Sequence, residues 1–300
     1  MSEWPRQKDE IYSYNLFHAA IKSRHNTTGL SSRGFGLVGT FMRIPGGEED
    51  PTPDPDFTLF KDGVLLFVEI KAGENINNSH IDQMREYREL GLEAVEEFAM
   101  QTDLAERYNR DDIVGFEHCI VYGEEFIEEC KQEYKNCRET LEELAEYTPV
   151  LTQQRGSTLQ IDSGSFSRDE YNERFSNGIQ LPKATDKVIY LPENVELEAL
   201  SYSITHDIVL NNLNGESFEA TASEIQNFHG RRDVRLRKIK QSLQFLSYVE
   251  ACHRQSDGSY LFRRDDLGDI LGIEDLLREK RVEEHLEEAD GEQAGLQEFF

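Results

Sequence analysis

The sequence predicts an α/β protein: a mixed sheet flanked by helices, then a smaller module of two helices and a hairpin, then an acidic tail. Three observations predict it. Apolar residues at helical spacing alternate along the chain with short β-rich runs. Two such runs in FTLFKDGVLLFVEIK are joined by Lys61-Asp62-Gly63, a hairpin signature. Between residues 216 and 278 the order changes to helix, helix, hairpin.

Residues 7–24 carry Ile11, Tyr14, Leu16, Phe17 and Ile21 near helical spacing and predict an opening helix. A strand is expected around Gly36–Ile44, then Pro and Gly punctuate 45–55, and the hairpin follows. Residues 79–108 read as helix, 113–122 (IVGFEHCIVY) as a buried strand, and 124–146 as an acidic amphipathic helix. The pattern from 148 to 215 is mixed: VIYL at 188–191 and SITHDIVL at 203–210 read as strands, with polar turns around 163–180. Thr221–Phe228 reads as a short helix capped by Thr221 or Ser223, and 231–247 as a longer one. Tyr248–Arg254 and Ser259–Arg263 then form a hairpin about Gln255-Ser256-Asp257-Gly258.

Composition narrows the function classes. The 300 residues carry 32 basic and 59 acidic side chains, a formal charge of −27. At 37% hydrophobic the chain can bury real cores, which argues against wholesale disorder. Its longest uninterrupted aliphatic or aromatic run, Val64–Val68, is five residues, and a membrane span needs roughly twenty. MSEWPRQKDE has no apolar signal segment, so a soluble cytoplasmic chain with no membrane partner is expected. The 11 Lys against 21 Arg, with acids spread along the whole chain, point to a high-salt archaeal cytoplasm, cellular or viral. At about 1 M salt the Debye length is near 3 Å, so the overall charge is no veto on nucleic-acid binding. Cys119, Cys130, Cys137 and Cys252 form no CxxC pair and read as buried or half-buried thiols rather than a zinc or iron–sulfur site.

The chemistry centres on PTPDPDF and LLFVEIKAG. Alternation along a strand sends Glu69 and Lys71 to one face and Val68 and Ile70 to the other. Asp56 opens the preceding strand, so pairing of the two can set it beside Glu69. Adjacent carboxylates repel unless a cation lies between them, and hard oxygen ligands suit Mg²⁺ (or Mn²⁺). Lys71 can orient or deprotonate an attacking water and neutralise phosphate charge. Such a set meets the needs of phosphodiester hydrolysis.

Pro55-Asp56, twelve intervening residues, then Glu69-Ile70-Lys71 resemble the PD-(D/E)xK nuclease family, the restriction-endonuclease-like fold. Pro53-Asp54 offers a second aspartate, less well placed than Asp56. Gln83-Met84-Arg85-Glu86-Tyr87 is a QxxxY pattern similar to that of RecB-like members, and Gln83 and Tyr87 share a helix face. The resemblance implies Asp56 and Glu69 as metal ligands, Lys71 at the nucleophile, and Gln83 and Tyr87 steadying substrate or site. It also implies an acid on the first helix completing the metal shell, with Glu10 the natural candidate and His18 a neighbour of it. The cysteine cluster of iron–sulfur members is missing. The resemblance covers residues 7–125 and leaves 126–215 unassigned.

GRRDVRLRKIKQ contradicts the acidity of the whole: Arg231, Arg232, Arg235, Arg237, Lys238 and Lys240 stand against one Asp. Residues 216–278 resemble a winged helix-turn-helix, which implies this helix in the recognition position on DNA and Arg254, Arg263 and Arg264 on the backbone. The chain closes on QAGLQEFF, where Gln293, Leu296, Phe299 and Phe300 resemble the PCNA-interacting peptide that docks on sliding clamps. The expected organisation is therefore a nuclease-like domain over 1–215, a winged helix over 216–278, an acidic tether over 279–292 and a clamp-binding peptide over 293–300. The expected function is a Mg²⁺-dependent DNA nuclease in replication, recombination or repair. Its rivals are a catalytically silent nuclease fold acting as a DNA-binding regulator or clamp accessory, and a toxin or defence nuclease.

Overall fold

The computed structural model describes residues 4–22, 29–45, 53–71, 76–133, 135–153, 158–182, 190, 195–213, 216–228 and 236–267. The tether, the clamp-type peptide with Gln293, Leu296, Phe299 and Phe300, and Arg231, Arg232 and Arg235 of the basic helix lie outside the described residues. The chain divides into two compact units. One is Leu16–Lys183, the other Met1–Asn15 together with Ala184–Phe300. Among the described residues no helix is long and apolar enough to cross a membrane.

Helix α1 (Trp4–Lys22) opens the chain and contributes to both units. In the Leu16–Lys183 unit, β1 (Gly36–Thr40), β2 (Phe57–Lys61) and β3 (Val64–Ile70) are antiparallel neighbours. Asp62 and Gly63 join β2 to β3 with φ of +50° and +82°, the backbone that a two-residue hairpin turn with Gly second requires. Next come α2 (Asn78–Glu89), α3 (Leu92–Met100), short 3₁₀ turns at Asp103–Glu106 and Arg110–Asp112, and β4 (Gly115–Gly123), parallel to β3. The single helix expected over 79–108 is thus two. The Asn77 side chain caps the first through Ser79 N (3.0 Å), and Gly91 heads the second in extended conformation.

Helices α4 (Glu124–Glu133) and α5 (Lys135–Tyr147) follow where one acidic helix was expected. A Cys130–Cys137 disulfide joins them, with Cα atoms 5.3 Å apart, which corrects the expectation of thiols at these two positions. Cys119 and Cys252 are buried thiols, as expected. The sheet continues with β5 (Val150–Gln153), parallel to β4, then antiparallel β6 (Thr158–Ser163), α6 (Asp169–Ser176) and β7 (Ile179–Gln180). The seven strands lie in chain order, β1 to β7, in a mixed sheet. Helix α6 replaces part of the polar turn expected over 163–180, because Tyr171 and Phe175, four apart, both bury against Phe35.

Residues alternate faces on β3. Leu65 and Phe67, with Ile120 and Tyr122 of β4, pack beneath Ile81, Met84, Val95 and Phe98 of α2 and α3. On the other face, Phe57 meets Phe17 of α1 at 4.8 Å between ring centroids. Both faces of β3 are therefore covered, and all seven of its residues, Glu69 included, are buried.

In the second unit, α7 (Leu197–Ser203) runs through a π-helical turn (Ile204–Val209) into α8 (Leu210–Asn212). SITHDIVL is helical, not the strand expected from its β-branched residues. Leu200, Ile204 and Ile208 recur at four-residue spacing and bury against Ile239, Leu243 and Leu246, and packing outweighs β propensity. Of VIYL, only Tyr190 is among the described residues, outside any strand. Then β8 (Ser217–Ala220), α9 (Ala222–Phe228), α10 (Leu236–Tyr248), β9 (His253–Arg254), β10 (Tyr260–Arg263) and α11 (Arg264–Leu267) form a three-stranded antiparallel sheet, order β8-β10-β9, with its helices. Thr221 caps α9 reciprocally: its Oγ1 accepts from Glu224 N (3.3 Å) while Glu224 accepts from Thr221 N (2.7 Å). Residues 195–213, expected with the first domain, share one hydrophobic cluster with 220–267.

Candidate active site

Strand pairing places the acids. Phe57 lies opposite Val68, and one further step along the same antiparallel register sets Asp56 across from Glu69. The Ile70 amide donates to Asp56 Oδ2 at 2.7 Å, and the Phe41 amide donates to the Asp56 carbonyl at 3.1 Å. Asp56 is thus tied to β3 through its side chain and to the end of β1 through its backbone. Both acids are buried, Asp56 at 8% and Glu69 at 3% exposure.

The remaining expected residues gather on Glu69. Its Oε1 accepts from the Tyr87 hydroxyl at 2.6 Å, and its Oε2 lies 3.4 Å from Lys71 Nζ. The Gln83 side chain lies near this carboxylate and favours its charged form. Asp56, Glu69, Lys71, Gln83 and Tyr87 therefore meet at the carboxyl end of β3. The Lys71 amide continues the parallel pairing by donating to the Val121 carbonyl at 2.9 Å, which aligns Lys71 with the end of β4.

Burial is the largest influence on Glu69 and raises its carboxyl above the ordinary range, against the Lys71 charge and the hydrogen bonds from Tyr87, Lys71 and Gln83. Burial also pushes the Tyr87 phenol far up, and the negative charges of Glu69, Asp56 and Asp54 push it further, so Tyr87 is a neutral donor. Hard carboxylate oxygens are the donor type that Mg²⁺ takes. Two hard carboxylates, one from each strand of a hairpin, lie in a poorly hydrated place where three acids act on one phenol and Lys71 offsets their charge in part. Among the described residues no three His, Cys, Asp or Glu side chains come together as a ready-made cluster. Glu10, the expected third ligand, belongs to the other compact unit, where its carboxylate accepts from the Tyr190 hydroxyl. His18 is half-buried on α1.

Two histidines with structural leverage on this site were not singled out by the sequence reading. His118 of β4 stacks on Tyr87, ring centroids 5.7 Å apart and 14° between planes, and its Nε2 donates to the Tyr147 carbonyl at 3.1 Å. His80 of α2 bonds Tyr122 of β4. The helical spacing His80, Gln83, Tyr87 and the alternation Phe116, His118, Ile120, Tyr122 are the signals that mark them.

Burial, with a smaller contribution from the Arg88 charge, lowers the His118 pKa to about 4 from 6.5. The folded protein then binds this proton less readily than the unfolded chain. His118 costs nothing above pH 6.5, and its destabilising contribution grows as pH falls from 6.5 towards 4, reaching about 3 kcal/mol. The urea midpoint of the wild type should therefore fall more steeply than that of His118→Phe across this window. Equal slopes would mean that the imidazole is not protected from the proton.

On α10, Arg237 and Lys240 are exposed while Ile239, Leu243, Phe245 and Leu246 are buried. Lys238 is half-buried and donates to the Val195 carbonyl at 2.9 Å, so of the expected basic row it faces inward. Arg254, Arg263 and Arg264 are exposed around the β9–β10 hairpin.

No family model matches the sequence, and no curated protein does. The chain is similar to the crystal structure of an FdxN element excision controlling factor protein from Anabaena variabilis, with 13% identity and a TM-score of 0.27, over 47% of this chain and 91% of that one. That likeness is too remote to carry fold or function.

Proposed function

We propose that the chain is a Mg²⁺-dependent DNA nuclease of the PD-(D/E)xK type. One observation carries the reading: Asp56 and Glu69 sit across a hairpin from each other, with Lys71, Gln83 and Tyr87 converging on Glu69. Asp56 and Glu69 would hold Mg²⁺, whose part is charge relief at a phosphate and acidification of water. Lys71, 3.4 Å from Glu69, offers an ammonium to a phosphate oxygen or to the attacking water. The Tyr87 hydroxyl holds the Glu69 carboxylate in one orientation, and Gln83 lies beside it.

The second unit is the DNA-binding part of this reading. A β8-β10-β9 sheet with α9 and α10 inserted between β8 and β9 is the strand and helix order of a winged helix, which supports that assignment. Arg237 and Lys240 on α10, with Arg254, Arg263 and Arg264 at the hairpin, are basic groups available to phosphates. The C-terminal peptide Gln293, Leu296, Phe299 and Phe300 would recruit a PCNA-type sliding clamp, and the acidic tether would raise the local concentration of DNA. The composition supports work in a salt-rich, nucleoid-associated cytoplasm.

A second reading, a silent fold used for binding, is favoured by a specific feature. Asp56 and Glu69 already receive hydrogen bonds from the Ile70 amide, the Tyr87 hydroxyl and the Lys71 ammonium. The two readings separate when the full chain is incubated with branched, single-stranded and duplex DNA in concentrated KCl. Cutting is expected with Mg²⁺ or Mn²⁺ and not with EDTA. Retarded but uncut DNA under every ion condition would favour the silent reading.

A further inference from the structure

Position 80 of α2 and position 122 of β4 are core positions, 3% and 0% exposed, and Tyr122 belongs to one hydrophobic cluster with Ile76, Ile81, Ile127 and Leu144. Aliphatic side chains would seal such a place at lower cost than an imidazole and a phenol, because buried polar groups must stay paired. What the polar pair adds is direction. His80 Nδ1 stands 2.6 Å from the Tyr122 hydroxyl, with ring centroids 5.8 Å apart. The ring's proton can be placed. Ser79 N donates to Asn77 Oδ1, which orients that amide, and Asn77 Nδ2 faces His80 Nε2 at 3.4 Å. An amide nitrogen donates, so Nε2 accepts and Nδ1 carries the hydrogen towards Tyr122.

This bond lies between the two elements that matter to Glu69. His80 shares a helix face with Gln83 and Tyr87, the two residues of α2 that reach the carboxylate. Tyr122 lies two residues beyond Ile120, the partner of Glu69 across β3 and β4, and so shares its sheet face. A second aromatic contact, His118 on Tyr87, holds the far end of the same helix segment. Rotation or sliding of α2 on the sheet would break the His80–Tyr122 bond and withdraw Gln83 and Tyr87 from Glu69.

We propose that His80 and Tyr122 are positioning residues whose buried hydrogen bond sets the register of α2 on β4 and thereby the orientation of the Glu69 carboxylate. The catalytic consequence rests on the nuclease reading, whereas the geometric one does not. Four full-length proteins test it: wild type, Tyr122→Phe, His80→Leu and His80→Asn, the last keeping a donor near the place of Nδ1. The first readout is the ¹³Cζ resonance of Tyr87, assigned with Tyr87→Phe, which reports its bond to Glu69. It is expected to move in Tyr122→Phe and His80→Leu and to return most of the way in His80→Asn. The second is DNA cleavage with Mg²⁺, where kcat should fall about tenfold in the two breaking variants, with KM within about twofold and recovery in His80→Asn. An unmoved Tyr87 resonance overturns the proposal, as does a kcat loss that follows thermal stability alone with His80→Asn no better than His80→Leu. Should the wild type cut no DNA, the nuclease reading fails and the Tyr87 resonance alone decides.

Discussion

Glu69→Ala is expected to abolish Mg²⁺-dependent cutting while leaving the protein folded. The variant removes one of two paired carboxylates, the acceptor for Tyr87 and the counter-charge of Lys71 in a single step. A loss of about 10³-fold in the single-turnover rate, or about 4 kcal/mol of barrier, is the expected size. Stability should move far less. The side chain is 3% exposed and burial already opposes its charge, so its removal relieves a desolvation cost while stranding the Tyr87 hydroxyl. These opposed effects should leave the net change within about 1 kcal/mol. Glu69→Gln retains an acceptor for Tyr87 and should be equally inactive, because it lacks the charge. A Glu69→Ala protein that cuts within tenfold of wild type would remove this residue from the chemistry.

Phe67→Ala should be the most destabilising substitution on β3. Phe67 has no exposed surface, and its ring centroid lies 5.9 Å from Tyr87, 5.9 Å from Phe98 and 6.0 Å from Phe116. Truncation opens a cavity between sheet and helices that rigid neighbours cannot fill, at a cost of about 3–5 kcal/mol. For a unit of this size the unfolding transition should fall by roughly 10 °C. Phe67→Leu should cost distinctly less, since more of the volume remains. Calorimetry or near-UV circular dichroism measures both, and a shift of only a degree or two for Phe67→Ala would show that α2 and α3 collapse onto the gap.

The hairpin and the placing of its two acids were legible because local signals agree. Asp62-Gly63 demands a tight turn, and that turn fixes the register that sets Asp56 across from Glu69. The four-residue step from Gln83 to Tyr87 likewise needed only helical geometry to place both on Glu69. What lay beyond reach was tertiary. SITHDIVL reads as strand by its β-branched residues and is helical because Leu200, Ile204 and Ile208 face one cluster. The break between α4 and α5 has no Pro or Gly to announce it, and the Cys130–Cys137 bridge spans it. His80 and His118 looked like ordinary helix and strand residues until α2 was laid on β4. Strand β8 was hidden because its partner, β10, lies some forty residues further on.

The strand order of the larger unit bears on how the chain acquires its shape. Because each of the seven strands lies beside its predecessor, a polypeptide emerging from the ribosome can add every new ribbon to an edge that already exists. No early strand has to wait for a late one to be inserted between itself and its neighbour, so little closure entropy is held back until the end of synthesis. The hairpin that bears Asp56 and Glu69 is complete near the start of that sequence, and the helix that carries Tyr87 follows it directly.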